Sequence, residues 1–136
     1  MKLLLISMLI SSTALAADGS ELFYCHSDNN TIITATKKGD KLVLNFGSKE
    51  LKSMETIQQI KRKHQKDYNE AIKEGADDFG LFEFTTIDSF VSIGSGLDKS
   101  YYSDAMNRVA IVDKKTGGTQ TYWCSNDDAN NLDSMK

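Results

Sequence analysis

The side chains best suited to covalent or metal chemistry in this chain of 136 residues are two cysteines and two histidines. His26 follows Cys25 directly, and neighbouring residues of a strand point to opposite faces of a sheet. The spacing around His64 places it on a helix, without a second ligand nearby. Because a metal site needs several suitably spaced ligands, and because the chain has no C-x-x-C motif, we predict neither a metal site nor a redox-active thiol pair.

Motifs for catalysis are absent as well. The sequence contains no G-x-G-x-x-G, P-loop, G-x-S-x-G or H-E-x-x-H pattern. Paired carboxylates occur at Asp77-Asp78 and Asp127-Asp128, where the composition is that of turns, and Glu83 is an acid within an apolar run. We therefore predict a protein that is not an enzyme, with no catalytic residues and no cofactor. A hydrolase with an unrecognised site is the alternative.

The first 16 residues, MKLLLISMLISSTALA, have the three parts of a secretory signal peptide. Lys2 supplies the positive start, an apolar run follows, and Ala14-Leu15-Ala16 is an A-x-A cleavage site. The apolar run is far shorter than the roughly 20 residues that span a bilayer. We predict cleavage after Ala16, a single periplasmic or secreted domain over residues 17–136, and no membrane span in the mature chain.

Export gives the two cysteines a structural interpretation. Paired cysteines in an oxidising compartment usually form a disulfide, and Cys25 and Cys124 allow only one intramolecular pairing. Such a bridge would hold the first and last strands of the domain together. The formal net charge of −3 provides no electrostatic basis for binding nucleic acid.

Hydrophobic periodicity separates strands from one helix. Apolar residues recur at steps of three and four between residues 53 and 75, which predicts a helix with Ser53 at its N-cap and Gly75 at its end. The tail after about residue 126 is polar and predicted to be frayed. Alternating and β-branched stretches predict strands at residues 21–27, 31–36, 41–46, 79–87, 89–93, 108–113 and 119–124.

This pattern is mainly β with one inserted helix, an α+β class. It shows no βαβ alternation, so we expect a small antiparallel barrel or sandwich of six or seven strands, with the helix near residues 53–75 packed across it.

The polar stretch at residues 94–107 is longer than most connections in a compact domain, and such loops are often functional. It contains the predicted partner-binding residues, which include two tyrosines, a residue type favoured at protein interfaces. The alternative is that one tyrosine covers the core. The predicted binding residues are Ser95, Gly96, Lys99, Tyr101 and Tyr102.

The arrangement resembles the periplasmic inhibitors of C-type lysozyme. The resemblance rests on the early Phe23-Tyr24-Cys25, the strand hairpins, Ser95-Gly96 followed by a tyrosine, and a late cysteine. Four residues separate Gly96 from Tyr101, two more than in the Ser-Gly-x-x-Tyr loop of those inhibitors, and their pattern lacks a helix near 53–75. The resemblance implies a small antiparallel barrel in which Ser95, Gly96 and Tyr101 enter the lysozyme cleft and Cys25 bonds Cys124.

Two classes of function follow. The first is an exported domain that binds a protein partner, an enzyme or a toxin, and blocks it by loop insertion; a lysozyme inhibitor and an immunity-type protein both fit. The second is an envelope module that binds a small ligand in the mouth of the barrel.

Overall fold

The computed structural model describes residues 19–75, 80–95, 107–124, 129–130 and 132. Within these ranges the chain forms nine strands and one helix, which confirms the mostly β architecture with one inserted helix. The elements are β1 (Glu21–His26), β2 (Ile32–Lys38), β3 (Lys41–Phe46), β4 (Lys49–Thr56), α1 (Ile57–Lys73), β5 (Gly80–Thr85), β6 (Ser89–Ser95), β7 (Arg108–Asp113), β8 (Thr119–Trp123) and β9 (Ala129–Asn130). No helix in this part of the chain is long and apolar enough to span a lipid bilayer.

The strands form two antiparallel meanders rather than one closed barrel. The first sheet has the order β4-β3-β2-β1-β9 and the second has the order β5-β6-β7-β8. The strands β1 to β4 and β5 to β8 are each neighbours in chain order, and β9 joins the first sheet out of order, beside β1. Short turns connect β1 to β4 in succession and also join β5 to β6 and β7 to β8. The described residues contain no ladder that joins β4 to β5, so the sheets are not closed into a barrel, and the expected barrel or sandwich of six or seven strands is not confirmed.

One hydrophobic core lies between the sheets. The first sheet contributes Phe23, Ile33 and Leu44 to it, and the second contributes Phe82 and Ile93, all nearly inaccessible to solvent. In β2, β5 and β6 the core residues alternate along the strand, as expected where one face of a sheet is buried. The strand β1 also buries Leu22 beside Phe23, where its register with β2 shifts. Beyond β8, β9 pairs with β1 and Leu132 is buried in the same core, so these positions of the tail are ordered although its composition favours fraying.

The strand β4 is not evident from the sequence, whose periodicity predicts that its last residues belong to the helix. Two features hide it: its lysines and glutamates interrupt the apolar alternation, and the ladder between β3 and β4 shifts register between Lys41 and Val43. At this irregularity Ser53 Oγ accepts a hydrogen bond from Leu42 N at 3.0 Å and donates one to Glu55 O at 2.7 Å. Ser53 therefore stabilises a bulge and is not the helix N-cap.

The helix begins three residues later than predicted. Thr56 is the N-cap, and it forms a capping box in which Thr56 Oγ1 accepts from Gln59 N and Gln59 Oε1 accepts from Thr56 N. Ile57 and Ile60 are the buried residues of α1, and the helix packs on β5. The helix ends at Lys73, just before the glycine predicted to stop it.

Two seams join the sheets. At the first, Ser27 pairs with Cys124 in an isolated bridge, and Asp28 N donates to Trp123 O at 3.0 Å. The predicted disulfide forms here between Cys25 and Cys124, with their Cα atoms 5.0 Å apart. The end of β1 is therefore fastened covalently to the end of β8.

At the second seam, Glu55 of β4 holds Thr85 of β5. The carboxylate accepts hydrogen bonds from Thr85 N at 2.8 Å and Thr85 Oγ1 at 2.6 Å. Burial alone would raise the pKa of Glu55, but these hydrogen bonds and the charge of Lys114 outweigh it and hold the pKa below its usual value.

We expect Glu55→Gln to lower the free energy of unfolding near neutral pH by about 1 kcal/mol, because one hydrogen-bonded carboxylate at a partly exposed site is lost. The folded-state pKa lies below the unfolded one, so the carboxylate stabilises the fold above its unfolded pKa, and this contribution disappears as the pH falls through the folded pKa. Urea denaturation across a pH series should therefore show the difference between wild type and variant shrinking in acid. Glu50→Gln removes an exposed carboxylate from the same strand and should change stability less. A difference for Glu55→Gln that does not depend on pH would contradict this account.

We expect removal of the disulfide to lower the free energy of unfolding much more than Glu55→Gln does. The bridge spans a sequence separation of 99 residues, for which the chain-entropy relation gives about 4–5 kcal/mol. The double variant Cys25→Ala/Cys124→Ala should lose about that much unfolding free energy in guanidinium denaturation. Reductant should destabilise the wild type and leave the double variant unchanged. A loss below about 1 kcal/mol would show that the seam is held by its noncovalent contacts.

Candidate functional site

The predicted binding loop is bounded by described residues but lies mostly outside them. Ser95 is the last residue of β6 and pairs with Gly80 of β5. Gly96, Lys99, Tyr101 and Tyr102 lie outside the described residues. The structure therefore specifies the base from which residues 96–106 leave and return, and the binding roles of these five residues stay predictions.

The base of this loop is attached to the disulfide. Asn107, at the return of the loop, accepts a hydrogen bond through its carbonyl oxygen from Cys124 N at 3.0 Å. Cys124 is bonded in turn to Cys25, and both cysteines are buried. The C-terminal end of the loop is thus one hydrogen bond away from the covalent link between the two sheets.

Two further features mark the base. Gly94 pairs with Arg108 and has a φ of 123°, a backbone conformation that residues with a side chain rarely adopt. Among the described residues, Arg108 Nε is a buried side-chain nitrogen without a hydrogen-bond partner. A buried N–H donor without an acceptor is costly in free energy.

The histidines occupy structural positions. His64 stacks on Phe82, with ring centroids 3.9 Å apart, and its Nδ1 lies 2.8 Å from Leu81 O. His26 Nε2 lies 3.0 Å from Asn30 Oδ1 in the turn between β1 and β2. Both cysteines are consumed by the disulfide. Across the described ranges, no group of three or more His, Cys, Asp and Glu side chains is arranged to hold a metal ion.

Of the acids considered for catalysis, Glu83 is the one that the structure describes. Glu83 lies on the exposed side of β5, with its carboxylate 3.5 Å from Lys63 Nζ on α1. Lys63 is itself paired with Asp67 at 2.6 Å, and this hydrogen bond raises the pKa of the lysine. The pairs Asp77-Asp78 and Asp127-Asp128 lie outside the described residues.

A groove between the two sheets is the feature that sequence reasoning missed. Its volume is about 430 Å³. We call it the inter-sheet groove. The first sheet lines it with Phe46, Lys49 and Leu51, and the second lines it with Ser89, Ile111 and Gln120. These residues are up to 74 positions apart (46 to 120) in the sequence, so no local motif could have indicated them.

The lining of the groove combines apolar side chains, among them Phe46 and Leu51, with the cation Lys49. Lys49 Nζ lies 5.7 Å from the centre of the Phe46 ring. Asp113 borders the groove as well, but its carboxylate accepts hydrogen bonds from Lys115 N and Thr116 N, both at 2.8 Å. These bonds lower the pKa of Asp113 and engage its charge within its own turn.

Comparison with known proteins finds no matching family, no similar curated protein and no similar solved structure.

Proposed function

We propose that this chain is an exported protein-binding domain that blocks a partner enzyme or toxin by inserting residues 94–107 into its cleft. The observation that carries the proposal is the hydrogen bond from Cys124 N to Asn107 O, which attaches the base of this loop to the Cys25–Cys124 disulfide. The partner surface would comprise Ser95, Gly96, Lys99, Tyr101 and Tyr102.

A fixed base favours this mode of binding for a physical reason. Association loses rotational, translational and loop entropy, and a scaffold that pre-positions the binding segment reduces this loss. The disulfide and the paired ends of β6 and β7 limit where the loop can leave and return. Adjacent tyrosines would then supply apolar contact area with hydroxyl groups at their tips.

A cell-wall hydrolase such as a C-type lysozyme is the partner class that the resemblance suggests. On that assignment, the two meanders joined at two seams would correspond to the small antiparallel barrel of the lysozyme inhibitors. Ser95, Gly96 and Tyr101 would then be the inhibitory residues. An immunity-type protein that neutralises a delivered toxin uses the same physical mechanism.

Export is part of the proposal. The signal-peptide pattern of residues 1–16 supports it, and the disulfide is compatible with an oxidising compartment such as the periplasm or the cell exterior.

The inter-sheet groove supports a second candidate function, an envelope module that binds a small ligand. A groove of about 430 Å³ falls within the range of small-molecule sites. Its mixed lining of Phe46, Leu51, Lys49 and Gln120 suits an amphipathic ligand better than a purely apolar one.

We expect Tyr101→Ala to weaken binding of the partner by about tenfold or more, because truncation of a central interface tyrosine removes a large part of the binding energy. The partner to test first is a C-type lysozyme. Calorimetric titration and a cell-wall lysis assay should show an equimolar, inhibitory complex with the wild type. Thermal melting should show that the variant is folded.

Lys115→Ala serves as the control, because it changes an exposed side chain in the turn at the opposite end of β7. Inhibition by Tyr101→Ala equal to that by the wild type would disprove loop insertion. Failure of the wild type to bind lysozyme would reject lysozyme as the partner and direct the same test to a toxin of the immunity class.

A further inference from the structure

The edge strands of the two sheets differ in how well they are protected from pairing with other chains. Strand edges invite pairing with other chains, and proteins guard them with charges, bulges or coverage. The edge strand β4 carries Lys49, Glu50 and Lys52 and a bulge, and the edge strand β5 is packed against α1. The edge strand β8 has the sequence TQTYW, with no charge, no proline and an unshifted register along β7.

The register identifies which backbone groups of β8 face outwards. Cys124 N bonds to Asn107 O on the β7 side, so residues of even number in β8 face β7 and residues of odd number face away. Trp123 O confirms this parity, because it accepts from Asp28 N across the seam. Thr119 and Thr121 are exposed and direct their N–H and C=O groups away from the sheet, where no described residue bonds to them.

The inter-sheet groove borders this same half of β8. Gln120 pairs with Ile111 and shares its face, and both line the groove together with Thr119. A strand added alongside β8 would place every second side chain on that face, over the groove. A strand added to β8 could therefore form backbone hydrogen bonds with β8 and place its side chains over the groove.

The charges around the groove indicate which kind of segment would bind there. Lys49 is a cation in the groove lining without an ion pair in the described part of the chain, whereas Asp113 is engaged by its own turn. A segment suited to the groove therefore has apolar residues at alternate positions and a carboxylate that meets Lys49. A second copy of β8 lacks any acidic residue, so it matches the groove less well.

We propose that β8 and the inter-sheet groove form a peptide-docking site, which binds an extended, acid-containing segment of another protein by adding it as a strand alongside residues 119–121 of β8. This site is distinct from the loop at residues 94–107. It would operate whether or not the loop inserts into a partner.

The decisive variant is Thr121→Pro, because it removes an N–H that faces away from the sheet and leaves the ladder with β7 intact. Phage-displayed random peptides of about ten residues, long enough for one added strand, are selected on the oxidised protein. The most enriched peptide is then synthesised and titrated. We expect alternating apolar residues with an acid, and a loss of affinity of about tenfold or more in Thr121→Pro but not in Thr121→Val.

Amide hydrogen exchange gives a second readout on the wild type. The bound peptide should protect the amides of Thr119 and Thr121 and leave the already bonded amide of Gln120 unchanged. If Thr121→Pro fails to fold, Thr119→Pro tests the same edge, since proline is tolerated at the first residue of a strand.

The variant Lys49→Gln tests whether the charge of Lys49 contributes to peptide binding. Lys52→Gln, on the opposite face of β4, is its control. Only the first should weaken the acid-containing peptide, by roughly fivefold or more. The proposal is overturned if selection enriches no peptide, or if the enriched peptide binds Thr121→Pro as tightly as the wild type. It is also overturned if sedimentation shows a wild-type dimer that Thr121→Pro dissociates, since a second copy would then be the occupant.

Discussion

The disulfide between Cys25 and Cys124 is the constraint on which the arrangement of the two sheets depends. Apart from β9, each sheet pairs strands that follow one another in the chain, so this pairing alone would form the sheets without fixing one to the other. Among the described residues, this seam contains, beside the disulfide, the isolated Ser27–Cys124 bridge and a backbone hydrogen bond from Asp28 N to Trp123 O. A covalent link between residues 99 positions apart removes much of the freedom of the unfolded chain. It also sets the position of β8, the strand that borders both proposed binding surfaces.

The inter-sheet groove follows from an asymmetry between the two seams. At the β4–β5 seam, Glu55 bonds Thr85 and α1 packs over β5, so this side is covered. At the β1–β8 seam the described residues pair only at the Cys124 end of β8. The Thr119 end of β8 has no such pairing among the described residues, and the groove lies there, between Thr119 and Gln120 of β8 and the first-sheet residues Phe46, Lys49 and Leu51.

Sequence reasoning succeeded where structure is locally encoded. Alternation in β3 and in β7 predicted their bounds, because alternate residues of both strands are buried in the core. The expected export predicted the disulfide. It failed at β4, where the bulge at Ser53 breaks the alternation and where Thr56, three residues later, offers a better cap with Gln59. It also could not find the groove, since Phe46 and Gln120 meet only through the packing of two sheets. Only composition and length indicate the loop residues, and of the five predicted binding residues the structure positions Ser95 alone.

The contrast between β4 and β8 bears on how such a groove can be used. Both strands border it, yet a chain that paired with β4 would have to desolvate Lys49 or Glu50 close to its own backbone, whereas pairing with β8 desolvates only hydroxyl and amide groups. An incoming segment would therefore pair with β8 rather than β4. Lys49, across the groove, would favour a segment that carries an acidic residue. An unguarded edge carries a risk of aggregation. Here the exposed part is short, because the turn between β1 and β2 and the disulfide occupy the Trp123 end. The same covalent seam that fixes the base of the loop therefore also limits how much of β8 is open to pairing.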